Sequence, residues 1–233
     1  MGCDWSRERF TMDEGLSTAV REVFIKLYED GVIYKGTRMV NWDTELMSAV
    51  SDLEVTLNPE KGKLWSIKYK TEDSFLTIST TRPETLLGDT AVAVNPDDER
   101  YKNLIGKTAI VPLVNREVPI IADEYVDPEF GSGCVKITPS HDFNDYEIGE
   151  KHKLEFIQCI DLDGKISNED FIPENLRGKD RFEARKLIVN DLMKLEQLEK
   201  EEDYDIQLPK GDRSKSILEP MITEQWFVKT ETL

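Results

Sequence analysis

Apolar residues recur at helical spacing in two segments of the chain. In the first segment, residues 11–31, Thr11 and Glu14 stand three positions apart as in a capping box, and apolar side chains follow on one face. In the second segment, residues 180–198, Glu183 occupies the matching capping position before another helical pattern. Each segment therefore predicts an amphipathic helix.

The region between the two helices has a different pattern, in which turn residues separate short runs of apolar and β-branched residues. The predicted strands are residues 38–42, 64–70, 75–81, 90–94, 109–114, 118–121, 133–138 and 156–161. An acidic stretch, LEQLEKEEDYD, follows the second helix and is predicted to lie in solvent. So many short strands predict a mixed α/β fold, with a closed or nearly closed β-barrel core of about six strands and surrounding helices.

Composition narrows the class of protein. The chain has 233 residues and a formal net charge of -17, so it would repel a nucleic acid unless a local basic patch or another domain makes the contact. No apolar run approaches the roughly 20 residues of a membrane span, and no membrane partner is expected. The three cysteines, Cys3, Cys134 and Cys159, have no CxxC spacing, which favours a cytoplasmic location over a disulfide framework or a zinc site.

The stretch GSGCVKITPSHDFNDYEIG concentrates residues that can carry chemistry. A thiol hydrolase would use Cys134, His141 and Asp142, but Cys134 lies in a predicted strand, without a following helix N-terminus to activate the thiol. A metal site would use His141, Asp142, Asp145 and His152, yet the spacing of these four residues matches no usual ligand motif. Both interpretations are disfavoured, and no metal is expected.

Two further interpretations of this stretch stay open. Asp142 can cap the helix that follows it, with Asp145 adding negative charge to the first turn. Alternatively, Lys136 and Thr138 point the same way by strand alternation and form a polar pocket that the following turn closes. A second polar loop, STTRPETLLGD at residues 79–89, also leaves a predicted strand, so the two loops can face each other across one cleft.

The two loops together resemble a known domain. The segments TTRPETLLGDTAVAVNPDDERY and GSGCVKITPSHDFNDYEIG are similar to the editing domain inserted into valyl-tRNA synthetase, a class I aminoacyl-tRNA synthetase related to the isoleucyl and leucyl enzymes. The resemblance covers nearly the whole chain and implies that it is part of a longer protein. It also implies three parts: residues 1–60 as an incoming segment from the catalytic core, 61–208 as the editing β-barrel, and 209–233 as a return segment to that core.

The resemblance implies hydrolysis of mischarged threonyl-tRNA(Val). A synthetic pocket shaped for valine excludes threonine poorly, and in valyl-tRNA synthetases themselves the discrimination is known to be only about a hundredfold. A second site is therefore needed that accepts the hydroxyl group of threonine and rejects the methyl group of valine. Because an aminoacyl ester is already activated, a positioned water suffices and no covalent nucleophile is required.

The resemblance also implies roles for individual residues. Asp145 would pair with the α-ammonium of the ester, Asp142 would read the side-chain hydroxyl or orient water, and Lys136 would pair with these aspartates. The other implied substrate-binding residues would line the amino-acid pocket or contact the terminal nucleotide: Thr80, Thr81, Arg82, Thr85, Thr138 and His141. For the arginine in this set, a surface salt bridge is the alternative.

The motifs of the synthetic site are missing from this sequence. Neither HIGH nor KMSKS occurs, so the resemblance assigns ATP and Mg²⁺ to the parent's synthetic site, and editing is expected to need no cofactor. The expected partners are the acceptor end of tRNA(Val) and the catalytic core of the parent. The alternative function is a catalytically inert insertion that only positions the acceptor end.

Overall fold

The computed structural model describes residues 4–232, without the side chain of Thr232, so Cys3 lies outside the described residues. Backbone contacts divide the chain into two units. One unit consists of the residues up to Arg38 together with those from Thr223 onward, and the other is Met39–Ile222. All the site residues predicted above lie in the second unit, whereas the three-part division at residues 60 and 208 stays a prediction.

The described elements follow the predicted alternation of strands and helices. The helices are α1 (Glu14–Glu29), α2 (Phe143–His152) and α3 (Arg181–Lys194). The strands are β1 (Ile33–Asp43), β2 (Ser48–Val50), β3 (Val55–Lys70), β4 (Phe75–Thr80), β5 (Ala91–Val94), β6 (Thr108–Val111), β7 (Arg116–Ala122), β8 (Cys134–Ile137), β9 (Leu198–Gly211) and β10 (Glu219–Val228). Within residues 4–232, every helix is too short or too polar to cross a membrane.

The central sheet confirms the predicted mixed α/β fold with a barrel-like core of six strands. Six strands follow one another in the order β4-β3-β6-β7-β5-β8, and the sheet curls into half a barrel. The end strands β4 and β8 are in contact. This curling places the end of β4 near the end of β8, which are the two strands that carry the polar loops.

The inner face of the curled sheet forms the main core. Alternation along β3 and β4 buries Ile67, Tyr69, Leu76 and Ile78, because successive side chains of a strand point to opposite faces. Helix α3 adds Ala184, Ile188 and Leu192 to the same cluster. A second, smaller cluster lies under α2 and β8 and contains Ala91, Ala93, Val126, Ile137 and Ile148. The polar loops are thus attached to packed elements.

Two predictions about elements are corrected, and one strand was not predicted. The acidic segment after α3 is largely exposed, as predicted, but most of it belongs to strand β9, which pairs antiparallel with β3 from Val55↔Gly211 to Ile67↔Leu198. Residues 156–161 were predicted as a strand, but Ile160 makes only an isolated bridge to Ile166. The N-cap of α1 is Asp13, whose carboxylate accepts the Leu16 amide at 2.8 Å, rather than Thr11.

In the first unit, α1 is shorter than the predicted segment 11–31 and keeps its amphipathic pattern, but none of its residues is buried. Phe24 and Tyr28 contact Trp226 edge-on, with ring centroids 5.2 and 5.8 Å apart. Other apolar residues of the helix, including Val20 and Val23, remain exposed. The helical pattern therefore predicts the conformation correctly, while the burial that normally accompanies it is small.

Candidate functional site

The loops after β4 and β8 meet at a pocket of about 360 Å³. The predicted site residues that line it are Thr80, Thr81, Arg82, Thr85, Lys136, His141, Asp142 and Asp145. Thr138 lies immediately below the lining, in hydrogen-bond contact with Lys136. The structure therefore brings the whole predicted set together, although its members come from two loops more than fifty residues apart in sequence.

Local sequence explains how each loop reaches the pocket. After β4, Pro83 begins a short 3-10 turn, Pro83–Gly88, since its fixed φ suits the first position of a helical turn. After β8, Asp142 caps α2 by accepting the amides of Asn144 at 2.9 Å and Asp145 at 3.2 Å. The capping interpretation and the pocket interpretation are thus both correct for Asp142.

Lys136 is buried, and its ammonium donates to three protein oxygens. Nζ lies 2.8 Å from Thr85 Oγ1 and 3.1 Å from Asp89 Oδ1, and it also contacts Thr138 Oγ1. A lysine has three N–H donors, so all of them are used. The salt bridge expected with Asp142 or Asp145 is not formed, because Asp89 takes that position.

Asp89 is a buried residue of the candidate site that sequence reasoning missed. Its carboxylate has no exposed surface, and it accepts hydrogen bonds from Thr138 Oγ1 at 2.6 Å, from Tyr69 Oη at 2.6 Å and from Lys136. Burial raises the pKa of Asp89, and Lys136 and the two hydroxyl donors oppose that shift. Burial and the Asp89 charge also raise the pKa of Tyr69 well above its usual value.

Asp145 is a buried carboxylate at the wall of the pocket. Its Oδ2 accepts the Thr138 amide at 2.8 Å. Within the described part of the chain, the Asp145 side chain makes no other hydrogen bond. Burial and the nearby Asp142 charge raise the pKa of Asp145 to about 7, although Lys136 and the Thr138 amide act in the opposite direction. A carboxylate in this state is stabilised by a cation in the pocket.

Two more polar groups at the pocket have unused hydrogen-bonding capacity. Oδ1 of Asp142 accepts the two capping amides, and among the described residues no donor reaches its Oδ2. The hydroxyl of Thr81 lies at the lining and makes no hydrogen bond to any residue in the range 4–232. Both groups can therefore bond a ligand without breaking an internal contact.

His141 lines the pocket, and its ring also holds the backbone that follows α2. Its Nε2 accepts the backbone amides of Cys159 at 3.0 Å and Ile160 at 3.3 Å, so the lone pair that a general base would use is occupied. Burial, followed by the charges of Arg82 and Lys136, lowers the pKa of His141 to about 3. The ring is neutral near pH 7 and cannot serve as a metal ligand through Nε2.

Arg82 belongs to a buried ion-pair network rather than to a surface salt bridge. It pairs with Glu84 at 3.2 Å and with Glu219, and its guanidinium donates to the His141 carbonyl at 3.1 Å. Arg185 on α3 donates to both oxygens of Glu84 at 2.7 Å. Burial would raise the pKa of Glu84, but the arginines lower it to about 2. The network fixes one loop against the other.

The thiol interpretation fails on position and chemistry. Cys134 lies outside the pocket lining, and burial raises the pKa of its thiol to about 11. Cys159 is fully buried, and burial raises the pKa of its thiol to about 12. A thiolate nucleophile needs a lowered pKa, so neither cysteine suits covalent catalysis.

Three aromatic residues stand at the rim of the pocket: Tyr125, Phe130 and Tyr204. Phe130 is about half exposed, and its ring meets Tyr204 edge-on at 6.4 Å. Sequence reasoning did not select them, because single aromatic residues in a loop and in an acidic strand carry no distinguishing pattern. Exposed rings beside a polar pocket offer a surface for stacking.

Comparison with known proteins gives a consistent family. Residues 1–233 match the family model for class I tRNA synthetases (I, L, M and V). Similar relatives include the valine-tRNA ligases of Legionella pneumophila strains Paris, Philadelphia 1 and Lens, each 56% identical over 232 residues. The match covers 99% of this chain and 25% of each relative, so the chain spans about a quarter of the length of the curated relatives it matches.

Among solved structures, the ternary complex of Agrobacterium radiobacter K84 agnB2 LeuRS with tRNA and LeuAMS is similar to this chain. The TM-score is 0.46 at 17% sequence identity, and the match covers 87% of this chain and 34% of that one.

Proposed function

Because this chain belongs to the class I tRNA synthetases (I, L, M and V), we propose that it is the editing part of a valyl-type enzyme and hydrolyses threonyl-tRNA(Val). The observation that carries this proposal is the pair Asp142 and Asp145, two carboxylates at one pocket that have no cation partner among residues 4–232. An aminoacyl ester brings an α-ammonium group, which is the charge that such a pocket needs.

The proposed binding mode uses the polar groups that remain unpaired. Asp145 binds the α-ammonium, since it is the more buried carboxylate and a cation beside it would offset the burial that raises its pKa. Asp142 and Thr81 have free capacity to bond the side-chain hydroxyl of threonine or a water. Valine has no hydroxyl, so these groups would stay unpaired when it enters, at about 1 kcal/mol for each, the low end for an unpaired group because both are only half-buried.

The proposed reaction is a direct hydrolysis. Water adds to the ester carbonyl, the bond to the terminal ribose oxygen breaks, and threonine and free tRNA are released. Asp142, which is partly exposed, orients the water, while Lys136 supplies a fixed positive charge beside the carboxylates. The raised thiol pKa of Cys134 fits a mechanism without a covalent intermediate. Water and side chains suffice, so we propose that no cofactor is used.

The test is a single-turnover deacylation assay with the chain in excess over tRNA(Val) charged with threonine or with valine. We expect the threonyl ester to be hydrolysed about tenfold faster or more, which corresponds to the polar groups left unpaired by valine. Excess protein compensates for weak tRNA binding, so the ratio of the two rates is the readout.

Two outcomes would contradict the proposal. Equal rates for the two esters would mean that the pocket does not read the hydroxyl group. Binding of the acceptor end without hydrolysis of either ester would support the inert positioning role instead.

A further inference from the structure

Asp89 is the carboxylate that neutralises Lys136, yet it is not part of the pocket lining. Its Oδ1 accepts from Lys136 at 3.1 Å and from the Thr138 hydroxyl at 2.6 Å, and its Oδ2 accepts from Tyr69 at 2.6 Å. The carboxylate has no exposed surface. A ligand in the pocket therefore makes no direct contact with Asp89 and meets only the groups that this carboxylate holds.

Lys136 and Asp145 both contact the same residue from opposite sides. The lysine ammonium donates to the hydroxyl of Thr138, and the amide of Thr138 donates to Asp145. A buried ammonium needs an acceptor for each of its three protons, because an unpaired buried donor is costly. Without the Asp89 charge, the unmatched carboxylates of the pocket become the strongest remaining attraction for Lys136.

A lysine that turned toward the pocket would remove the feature on which cation binding depends. It would neutralise Asp142 or Asp145 from within the protein, and a ligand ammonium would then compete with a tethered one. The positive charge of Lys136 is compatible with cation binding only while it is matched elsewhere.

We propose that Asp89 is a positioning residue that holds the Lys136 ammonium at the floor of the pocket and so leaves Asp142 and Asp145 unpaired for a cationic ligand. This inference rests on the proposed function, because it takes the α-ammonium of an aminoacyl ester as that ligand. It assigns to a residue outside the pocket the task of keeping the pocket negatively charged.

The direct test is Asp89→Asn, which keeps the size and one acceptor oxygen of the side chain but removes the charge. In a crystal structure of this variant we expect Lys136 Nζ within hydrogen-bond distance of a carboxylate oxygen of Asp142 or Asp145. This readout requires no substrate, so it tests the position of Lys136 even if the unaltered chain proves to be inactive as a deacylase.

The kinetic test compares two esters of tRNA(Val), one with free threonine and one with N-acetylthreonine, which has no ammonium. For Asp89→Asn we expect KM for the free-amine ester to rise about tenfold, equivalent to 1.4 kcal/mol, with a smaller change in kcat. The preference for the free amine over the acetylated ester should fall by the same factor. A general loosening of the fold would affect both esters alike.

Asp98→Asn is a matched control, because Asp98 is another buried carboxylate, paired with Arg100 at 2.6 Å, and does not line the pocket. It should lower stability without changing the preference for the free amine. Tyr69→Phe is a milder variant of the proposed arrangement and keeps the experiment informative if Asp89→Asn folds poorly. It removes one hydrogen bond from Asp89 and should raise KM by about twofold.

The inference is overturned if Lys136 stays with Thr85 and Thr138 in the Asp89→Asn crystal structure. It is also overturned if the variant keeps the full preference for the free-amine ester. Loss of activity on both esters in equal measure would assign Asp89 a purely structural role.

Discussion

The two sides of the candidate pocket differ in how much of their hydrogen-bonding capacity the protein itself uses. On one side, Lys136 has every N–H donor engaged, and the Thr138 hydroxyl both donates to Asp89 and accepts from Lys136. On the other side, Asp142 and Asp145 lack a cation partner within the described residues. We call the side with Lys136, Thr138 and Thr85 the closed side. We call the side with Asp142, Asp145 and Thr81, whose hydroxyl also has no partner in the described chain, the open side.

The difference indicates a division of labour within one polar site. A fully satisfied buried network is rigid, because each member fixes the position of the next. A buried carboxylate without a partner is unstable by itself and gains most when a ligand supplies the missing charge. Stability should therefore depend on the closed side, and ligand binding on the open side.

The largest expected effect comes from breaking the closed side with Lys136→Met. The substitution leaves Asp89 buried without its cation, and removing one partner of a buried ion pair costs about 3 to 5 kcal/mol. We expect that loss in the free energy of unfolding by urea denaturation at neutral pH. All three N–H donors of Lys136 are used within the protein, so the ammonium has none left for a ligand. If Lys136→Met discriminates less between the two esters, part of that loss should therefore come from the disturbed hydrogen bonds around Asp89.

The double variant Lys136→Met with Asp89→Leu is the control for this prediction. It removes both charges together, so it should recover much of the lost stability. If the single variant is as stable as the unaltered chain, the network on the closed side does not stabilise the fold.

The next largest effect is expected on the open side, from Asp145→Asn. Asparagine can still accept the Thr138 amide, but it cannot pair with an ammonium group. Losing that charged contact should cost about 2 to 5 kcal/mol of transition-state binding, so deacylation of threonyl-tRNA(Val) should fall by more than about tenfold. Single-turnover rates at subsaturating protein concentration, which report kcat/KM, measure this change.

An ester with an acetylated α-amino group separates anchoring from other roles of Asp145. The unaltered chain should hydrolyse this uncharged ester poorly, and the Asp145→Asn variant should treat it like the free-amine ester. A variant that keeps the full preference for the free amine would move the anchor to Asp142.

The same comparison shows which parts of the site can be predicted from sequence. Residues of the open side lie next to one another around the start of α2, so the short motif HDFND identifies them, and Asp142 as an N-cap follows from local chemistry. The closed side depends on partners far apart in the chain. Asp89 is 20 residues from Tyr69 and 47 from Lys136, and nothing in the local sequence LLGDT indicates these contacts.

The fold shows the same limit. Strand β4 and helix α3 follow from periodicity, because their buried faces repeat every two residues or every three to four. Strand β9 was missed because its charged residues are solvent-exposed in a two-stranded ribbon, where they face lysines of β3. Examples are the ion pairs Lys61–Asp205 at 2.5 Å and Lys63–Asp203 at 2.8 Å. An acidic segment with such partners has the composition of a loop and the conformation of a strand.

The raised pKa of Asp145 predicts a pH dependence of stability. The carboxyl titrates near 3.8 in the unfolded chain and near 7 in the folded chain, so the folded state binds the proton more tightly. Its contribution to stability is therefore greatest below pH 4, falls as the pH rises from 4 to 7, and stays low above pH 7. Asp145→Asn lacks this penalty and should be more stable than the unaltered chain at pH 8.5 by about 2 to 4 kcal/mol.

Urea unfolding of both chains at pH 5 and pH 8.5 measures this difference. The two chains should approach each other in stability at the lower pH, where Asp145 is largely protonated in the folded state. Parallel stability profiles across this range would mean that Asp145 ionises as an ordinary surface carboxyl.

The smallest and sharpest test substitutes valine for one threonine on each side of the pocket. The Thr85 hydroxyl accepts from Lys136 at 2.8 Å and donates to the Arg82 carbonyl at 3.0 Å, so Thr85→Val leaves a buried lysine donor unpaired. We expect a loss of roughly 1 to 2 kcal/mol in unfolding free energy.

Thr81→Val removes a hydroxyl with no partner in the described chain, so stability should change by less than about 0.5 kcal/mol. The effect on ester discrimination should not follow the effect on stability. Thr81→Val should reduce the ratio of threonyl to valyl hydrolysis rates while the fold stays intact. If both substitutions cost the same stability, or if Thr81→Val leaves the ratio unchanged, the division into a closed side and an open side does not hold at Thr81.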